Sequence, residues 1–230
     1  GESGMLTRRT ALAMLAATPL AVCTGCQDRV GLYYPLIPRL TWRYRVVLVQ
    51  GSETFTDTAV VTNLPPMSIF DRTLTPQRSQ LFGATVVRFI APTTGGIASF
   101  AQQQGEEPPI AREPADYLLR TPIAAGTSWS SSWESTRTAV PVRFPTVKTI
   151  ASTRATVMVP SGTYPDCLQV KIAGKAEVAL PARRNAVEVA GEEWYAPRIG
   201  FIKSVFREVL NQGEAVSELS MGLAIFDSGA

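Results

Sequence analysis

The chain has 230 residues, 45% hydrophobic and 18% charged, with a mean hydropathy of +0.08, which is enough apolar material for one sizeable core and too much for global disorder. Its 17 glycines and 17 prolines follow no period, which excludes a collagen-like chain, and a formal charge of +3 without a basic, aromatic-studded stripe speaks against nucleic acid as a partner. Histidine is absent altogether, which removes His-based triads, Cys–His dyads, imidazole metal sites and the usual proton shuttle near neutral pH.

The first 25 residues read as an address rather than as part of the fold. Gly1-Glu2-Ser3-Gly4 is an expression scar or an over-extended start; Met5-Leu6-Thr7-Arg8-Arg9 then supplies a basic region and Thr10 to Val22 an apolar one. That is the layout of an export signal. The apolar run is interrupted by Pro19 and is too short for an ordinary transmembrane helix, so cleavage is favoured over a retained anchor.

The segment Leu20-Ala21-Val22-Cys23-Thr24-Gly25-Cys26 resembles a bacterial lipobox, in which the thiol of a cysteine after a small residue is diacylated before cleavage. Cys26 fits because Gly25 precedes it, while Cys23 stands where leucine is usual. A signal peptidase site with two incidental cysteines is the alternative. Acylation would fix the chain to a leaflet, since each buried methylene contributes about 0.8 kcal/mol. Thr7-Arg8-Arg9-Thr10-Ala11-Leu12 also resembles a twin-arginine signal, with Ala11 in place of the aromatic. With residues 1–25 removed and Cys26 acylated, Cys167 is the single remaining thiol. No disulfide framework is then expected, and an apolar strand around Cys167 favours an inert buried thiol.

Residues 26–32 read as a tether, and residues 33–230 as one antiparallel β domain. Thr41 to Val49 is aromatic and β-branched, with Trp42, Tyr44, Val46 and Leu48 on one face. Gln50-Gly51-Ser52-Glu53 marks a hairpin to Thr54–Asn63. Leu64 to Gln80 is Pro-rich and is not expected to form a regular helix, although the sequence leaves room for a short one near the N-terminus of the mature chain or around Pro76 to Phe82. Strands are expected at Ala84–Ile90, Ile97–Gln102, Asp116–Leu119 and Thr127–Trp133, with Gly95-Gly96 as a hairpin turn and Gln103 to Pro114 as an exposed loop. Five longer strands follow at Lys148–Val159, Cys167–Leu180, Ala186–Tyr195, Gly200–Leu210 and Ala215–Phe226. So many strands without a helical pattern predict an all-β fold: one curved antiparallel sheet or an open barrel, with little helix outside the signal segment. A faint repeat accompanies them: Pro35 precedes Trp42, and Pro122 precedes Trp129, by the same seven residues.

Three stretches resemble a loose group of uncharacterised bacterial secreted and lipoprotein β-proteins. They are Tyr34-Pro35-Leu36 with Trp42-Arg43-Tyr44, the turn and strand Val159-Pro160-Ser161-Gly162-Thr163-Tyr164-Pro165-Asp166-Cys167-Leu168-Gln169-Val170, and Glu193-Trp194-Tyr195-Ala196-Pro197-Arg198-Ile199-Gly200-Phe201-Ile202-Lys203. Here the first lacks the group's glycine, and Arg198 replaces a common glycine in the last. The resemblance implies a curved antiparallel sheet or open barrel outside the cytoplasm, similar to the outer-membrane lipoprotein carriers, and implies no established activity.

Catalytic constellations are not found by spacing. Glu192 and Glu193 should face opposite sides of a strand, and Glu106-Glu107 sits in the Pro-rich loop. Ser128 and Ser130 to Ser132 lack a base, because no lysine stands in a Ser-x-x-Lys relation. No phosphate-cradling or calcium-binding loop is present, and neither a cofactor nor a metal is expected. The expectation is therefore a non-enzymatic envelope lipoprotein, anchored through Cys26 and facing the periplasm or the exterior. It would bind an apolar or amphipathic ligand, or an envelope partner, on a concave face lined by Trp42, Tyr44, Trp129, Trp194 and Phe201. A competing expectation is an accessory subunit docked on a larger membrane assembly, and a third is an enzyme that works without histidine.

Overall fold

The computed structural model describes residues 25–135, 142–180, 183–213 and 215–230. Apart from Gly25, the export segment lies outside the described residues, and so does Cys23. The described elements are α1 (Gly25–Tyr33), β1 (Thr41–Gln50), β2 (Glu53–Asn63), β3 (Met67–Ile69), β4 (Arg72–Leu81), β5 (Ala84–Thr93), β6 (Gly96–Gln104), β7 (Ile110–Arg120), β8 (Ser128–Ser135), β9 (Val142–Val159), β10 (Gly162–Leu180), β11 (Arg183–Ala196), β12 (Gly200–Leu210) and β13 (Ala215–Asp227). A single 3-10 turn, Asn211–Gly213, joins the last two strands.

All pairing is antiparallel, in the order β7-β6-β5-β4-β2-β1-β13-β12-β11-β10-β9-β8, with the short β3 beside β4. The chain thus lays down two six-strand meanders. The first, β1 to β7 without β3, and the second, β8 to β13, join where β1 pairs with β13 over Thr41↔Asp227 to Gln50↔Ser217. The free ends of the order, β7 and β8, come together without a ladder. There the Trp129 indole donates to the Tyr117 carbonyl at 3.0 Å and the Ser131 hydroxyl to Asp116 Oδ1 at 3.0 Å. The sheet is therefore a nearly closed barrel, as the run of alternating strands predicts. The two tryptophans of the faint repeat occupy corresponding places: each is the second residue of the strand that opens its meander, and each donates its indole N–H to a distant carbonyl.

Side-chain alternation explains the interior. On β1, Trp42, Tyr44 and Val46 are buried while Arg43 and Arg45 are exposed. They pack with Leu40, Ala59, Ile202 and Leu223, and with Val157, Val159 and Cys167 from the tip of the long β9–β10 hairpin. The tip is held across β13 by a hydrogen bond from Ser161 N to Leu223 O at 2.9 Å. A second cluster joins Ile90, Ile97, Leu119, Trp129 and Phe144 to Ile150, Leu168, Val170 and Tyr195. A small third one, Leu74, Phe89 and Ala101, lies on the other face of β4 to β6, under β3.

Three expectations change. Residues 26–32, read as a tether, belong to the short helix α1, whose last turn packs one side on the barrel. Val30 and Tyr33 are buried in the second cluster, Leu32 O accepts from Arg198 N at 2.8 Å and the Tyr33 hydroxyl donates to Asp166 O at 3.3 Å. The i, i+3 spacing of Val30 and Tyr33 gives one apolar stripe, too short to stand out until the barrel supplies a surface for it. The Pro-rich stretch around Pro76, where room was left for a short helix, is strand β4. Pro76 tolerates a place opposite Phe89 because its ring needs no N–H and φ near −65° is compatible with an extended chain. The loop expected over Gln103 to Pro114 is also shorter, since β7 already begins at Ile110.

Candidate functional site

The barrel encloses a cavity of about 290 Å³. One wall is apolar: Trp42 and Tyr44 of β1, Ala59 and Val61 of β2, Phe201 and Phe206 of β12, and Leu219 and Met221 of β13. These strands are neighbours in the sheet, so a period of two along each, shifted on β12 by a bulge at Ile202, brings their inward residues onto one continuous surface. Tyr44 and Phe201 meet at 5.3 Å, Phe201 and Tyr195 edge-on at 5.7 Å, and Trp133 and Phe206 at 4.7 Å. Such pairs are each worth about 0.5–1.5 kcal/mol beyond their area. Phe206 can lie against β11 because Gly191 is its cross-strand partner. A Cβ there would come within 2.3 Å of the Phe206 ring, so any side chain at 191 would push Phe206 into the cavity.

The polar tips of the wall aromatics are taken up by backbone. Trp42 Nε1 donates to Ile199 O at 2.8 Å and the Tyr44 hydroxyl to Phe201 O at 2.8 Å. What they offer the cavity is ring surface. Trp133 differs, since its buried Nε1 has no hydrogen-bond partner among the described residues.

A second group of lining residues is polar: Tyr34, Gln77, Arg88, Lys148, Glu193 and Tyr195. Glu193 accepts from the Tyr195 hydroxyl through a short hydrogen bond and pairs with Lys148 Nζ at 3.6 Å, both side chains of the ion pair being largely buried. Tyr34 donates to Gln77 Oε1 at 2.8 Å, and Gln77 Nε2 to Asn63 Oδ1 at 3.0 Å. Asn63 spends its own amide on the carbonyls of Pro35 and Ile37. This chain ties α1's exit segment to β2 and β4.

Arg88 stands apart. It projects inward from β5, alternating with the outward Phe89, and no described residue hydrogen-bonds or ion-pairs with its guanidinium. It is surrounded by protein yet keeps accessible surface, because it borders the cavity. Burial lowers its pKa, but Tyr34, Tyr195, Glu193 and Asp116 together outweigh that effect and leave the group above its ordinary value. It is a cation. Burial lifts the Tyr44 phenol well above its usual value and raises Tyr34 as well. Burial, reinforced by the neighbouring Glu193, does the same for Tyr195. All three phenols are therefore hydrogen-bond donors near neutral pH.

Of the five aromatics expected to line a ligand surface, the structure brings Trp42, Tyr44 and Phe201 together around the cavity. It does not bring Trp129 or Trp194 there. Trp129 is packed at the β7/β8 junction. Trp194 takes the face opposite Glu193 and Tyr195, with Lys203 Nζ 5.3 Å from its ring centre. The same alternation separates Glu192, which accepts from Gln169 Nε2 at 2.9 Å, from Glu193 inside. Cys26, the expected lipid attachment, lies in the first turn of α1. Cys167 is a free, buried thiol. Burial and the adjacent Asp166 push its pKa from 9.0 to about 11, and its Sγ lies 3.3 Å from Tyr164 O. Among the described residues no cluster of acidic and cysteine side chains could hold a metal ion, and no helix is long and apolar enough to cross a membrane.

The inward polar set escaped the sequence reading. A signal existed for Glu193, which shares strand parity with the apolar Tyr195. For Arg88 it was the single charge inside Val86-Val87-Arg88-Phe89-Ile90.

No protein family and no curated protein sequence matches this chain. Two solved structures are similar in part. One, from Bacteroides fragilis, is of a protein described as exported and as having a YmcC-like fold; it is 13% identical, the match covers 86% of this chain and 99% of that one, and the TM-score is 0.36. The other, from Parabacteroides distasonis, is of a protein described as a lipoprotein; it is 9% identical, with 85% and 98% covered and a TM-score of 0.39.

Proposed function

We propose that this chain is a non-enzymatic binding protein of the bacterial envelope, lipid-anchored through Cys26, that holds an amphipathic small molecule inside its barrel. The observation that carries the reading is the cavity itself, with its continuous aromatic and aliphatic wall and a few polar groups at fixed positions. Ligand sites are typically concave, mostly apolar and oriented by a small number of polar contacts. At about 290 Å³ the cavity is at the small end of the usual range of about 300–1,000 Å³. Binding rather than turnover is supported by the state of the ionisable lining: Glu193 is engaged by Lys148 and Tyr195, and the phenols are held protonated. The export-signal layout of the first 25 residues supports the address.

Two measurements test it. Organic extraction and mass spectrometry of protein purified from its native membrane should return a bound amphiphile, and apolar probes should change the fluorescence of Trp42 and Trp133. A dry protein indifferent to such probes would sink the binding claim. Mass spectrometry of the mature N-terminal peptide should show an acylated Cys26, and an unmodified Cys26 there would remove the anchor.

A further inference from the structure

The charge on the cavity lining does not balance. The cavity lining carries two cations, Arg88 and Lys148, against one carboxylate, Glu193. Lys148 and Glu193 neutralise each other at 3.6 Å. Asp116 acts on Arg88 through space but does not line the cavity, and it already accepts from Ser131 at the β7/β8 junction. The cross-strand neighbours of Arg88 are Gln77 and Gln102. Both are engaged elsewhere, Gln77 with Tyr34 and Asn63, and Gln102 by accepting from Arg112 Nη2 at 2.8 Å. A guanidinium enclosed by protein and left without a partner is costly, because its lost hydration is not replaced. An anion in the cavity would replace it, and the planar fork of arginine suits a two-oxygen acceptor.

We propose that Arg88 is the headgroup anchor of the cavity and that the occupant is a single-chain aliphatic carboxylate. The proposal rests on the binding reading above and specifies its ligand. One negative charge matches the one lining cation that has no ion pair among the described residues. The cavity's small size favours a single apolar chain over a two-chain lipid. The chain lies along Trp42, Tyr44, Phe201 and Met221, and the carboxylate faces Arg88, while Glu193 stays engaged by Lys148 and Tyr195.

The test compares three probes of equal chain length and different heads, dodecanoate, dodecanol and dodecylammonium, below their aggregation thresholds, by tryptophan fluorescence titration. Wild-type protein should bind dodecanoate about tenfold or more tighter than dodecanol, as expected for hydrogen bonds to a charged group, with dodecylammonium weakest. In Arg88→Met the carboxylate and the alcohol should converge to within about twofold, with the alcohol's affinity retained, because only the head contact is removed. The wild-type series stands without any variant, so a misfolded Arg88→Met leaves the proposal decidable. Equal affinity for the three heads in wild type, or a carboxylate preference that survives Arg88→Met, overturns the anchor while leaving the cavity as a binding site. Failure of all three probes to bind overturns the binding reading itself, and the anchor with it.

Discussion

The barrel closes on itself at two junctions between its meanders, and they are built differently. Where β1 meets β13, the first and last strands of the chain, ten register pairs run from Thr41 and Asp227 to Gln50 and Ser217, with one bulge at Arg43/Tyr44. Beneath them sit Trp42, Tyr44, Val46 and Leu223. Where β7 meets β8, strands only a short loop apart in sequence, the described residues form no ladder and are joined by the Trp129 and Ser131 side-chain bonds. Proximity along the chain did not decide which strands pair. Pro114 deprives β7 of one donor, and the intervening loop is bonded away from β7, with Gly126 N on Ile150 O at 2.8 Å and Thr121 N on Gly95 O at 3.0 Å. A backbone seam held by side chains opens at lower cost than one held by a ladder, so β7/β8 is the junction expected to open first.

The strongest test of that contrast is on the laddered side. Tyr44→Ala removes a nearly fully buried ring and leaves Phe201 O without its donor, and should lower unfolding stability by about 3–5 kcal/mol in urea titrations. A loss below about 1 kcal/mol would deny the β1/β13 side its role as the anchor of the barrel. On the seam, Trp129→Phe keeps most of the packing and deletes the bond to Tyr117 O, so the global cost should be about 1 kcal/mol. Hydrogen exchange should speed up selectively at Leu118, Leu119 and Ser130 and stay unchanged at Val46 and Met221. Uniform acceleration across both junctions would erase the distinction.

A third effect is on pH dependence, and Cys167 reads it from within the core under β1 and β13. Its thiol keeps its proton in the folded state up to about pH 11 but only to about 9.0 when unfolded. Between those values the unfolded chain binds fewer protons, so stability falls as pH rises. Urea titrations at about pH 8 and about pH 10.5 should show a steeper decline for wild type than for Cys167→Ala, the buried tyrosines contributing equally to both. Parallel declines would mean that the thiol is not held away from water.

The strands were readable because alternation is local: Trp42, Tyr44 and Val46 declare one face of β1 within five residues. The tether and β4 were misread for the opposite reason. Val30 and Tyr33 gain a helix only by packing on the barrel, and Pro76 is acceptable in β4 only given where its neighbours lie. The site was half readable. Trp42, Tyr44 and Phe201 were named from their strands, whereas Trp129 and Trp194 have the same composition signal and face elsewhere. Aromatic content does not say which side of a sheet becomes the inside.

By itself the sequence determined that this chain is β-rich and antiparallel, that it has no histidine chemistry, and that it opens with the marks of an exported protein, because composition, turn residues and a period of two are properties of neighbouring positions. Only the tertiary structure decided that the sheet curls until β7 meets β8, that Lys148 from β9 meets Glu193 from β11 across the intervening strand, and that Arg88 faces the interior with no hydrogen bond or ion pair among the described residues. Those outcomes depend on which distant strands share an interior, and cross-barrel distance is not encoded in any local pattern.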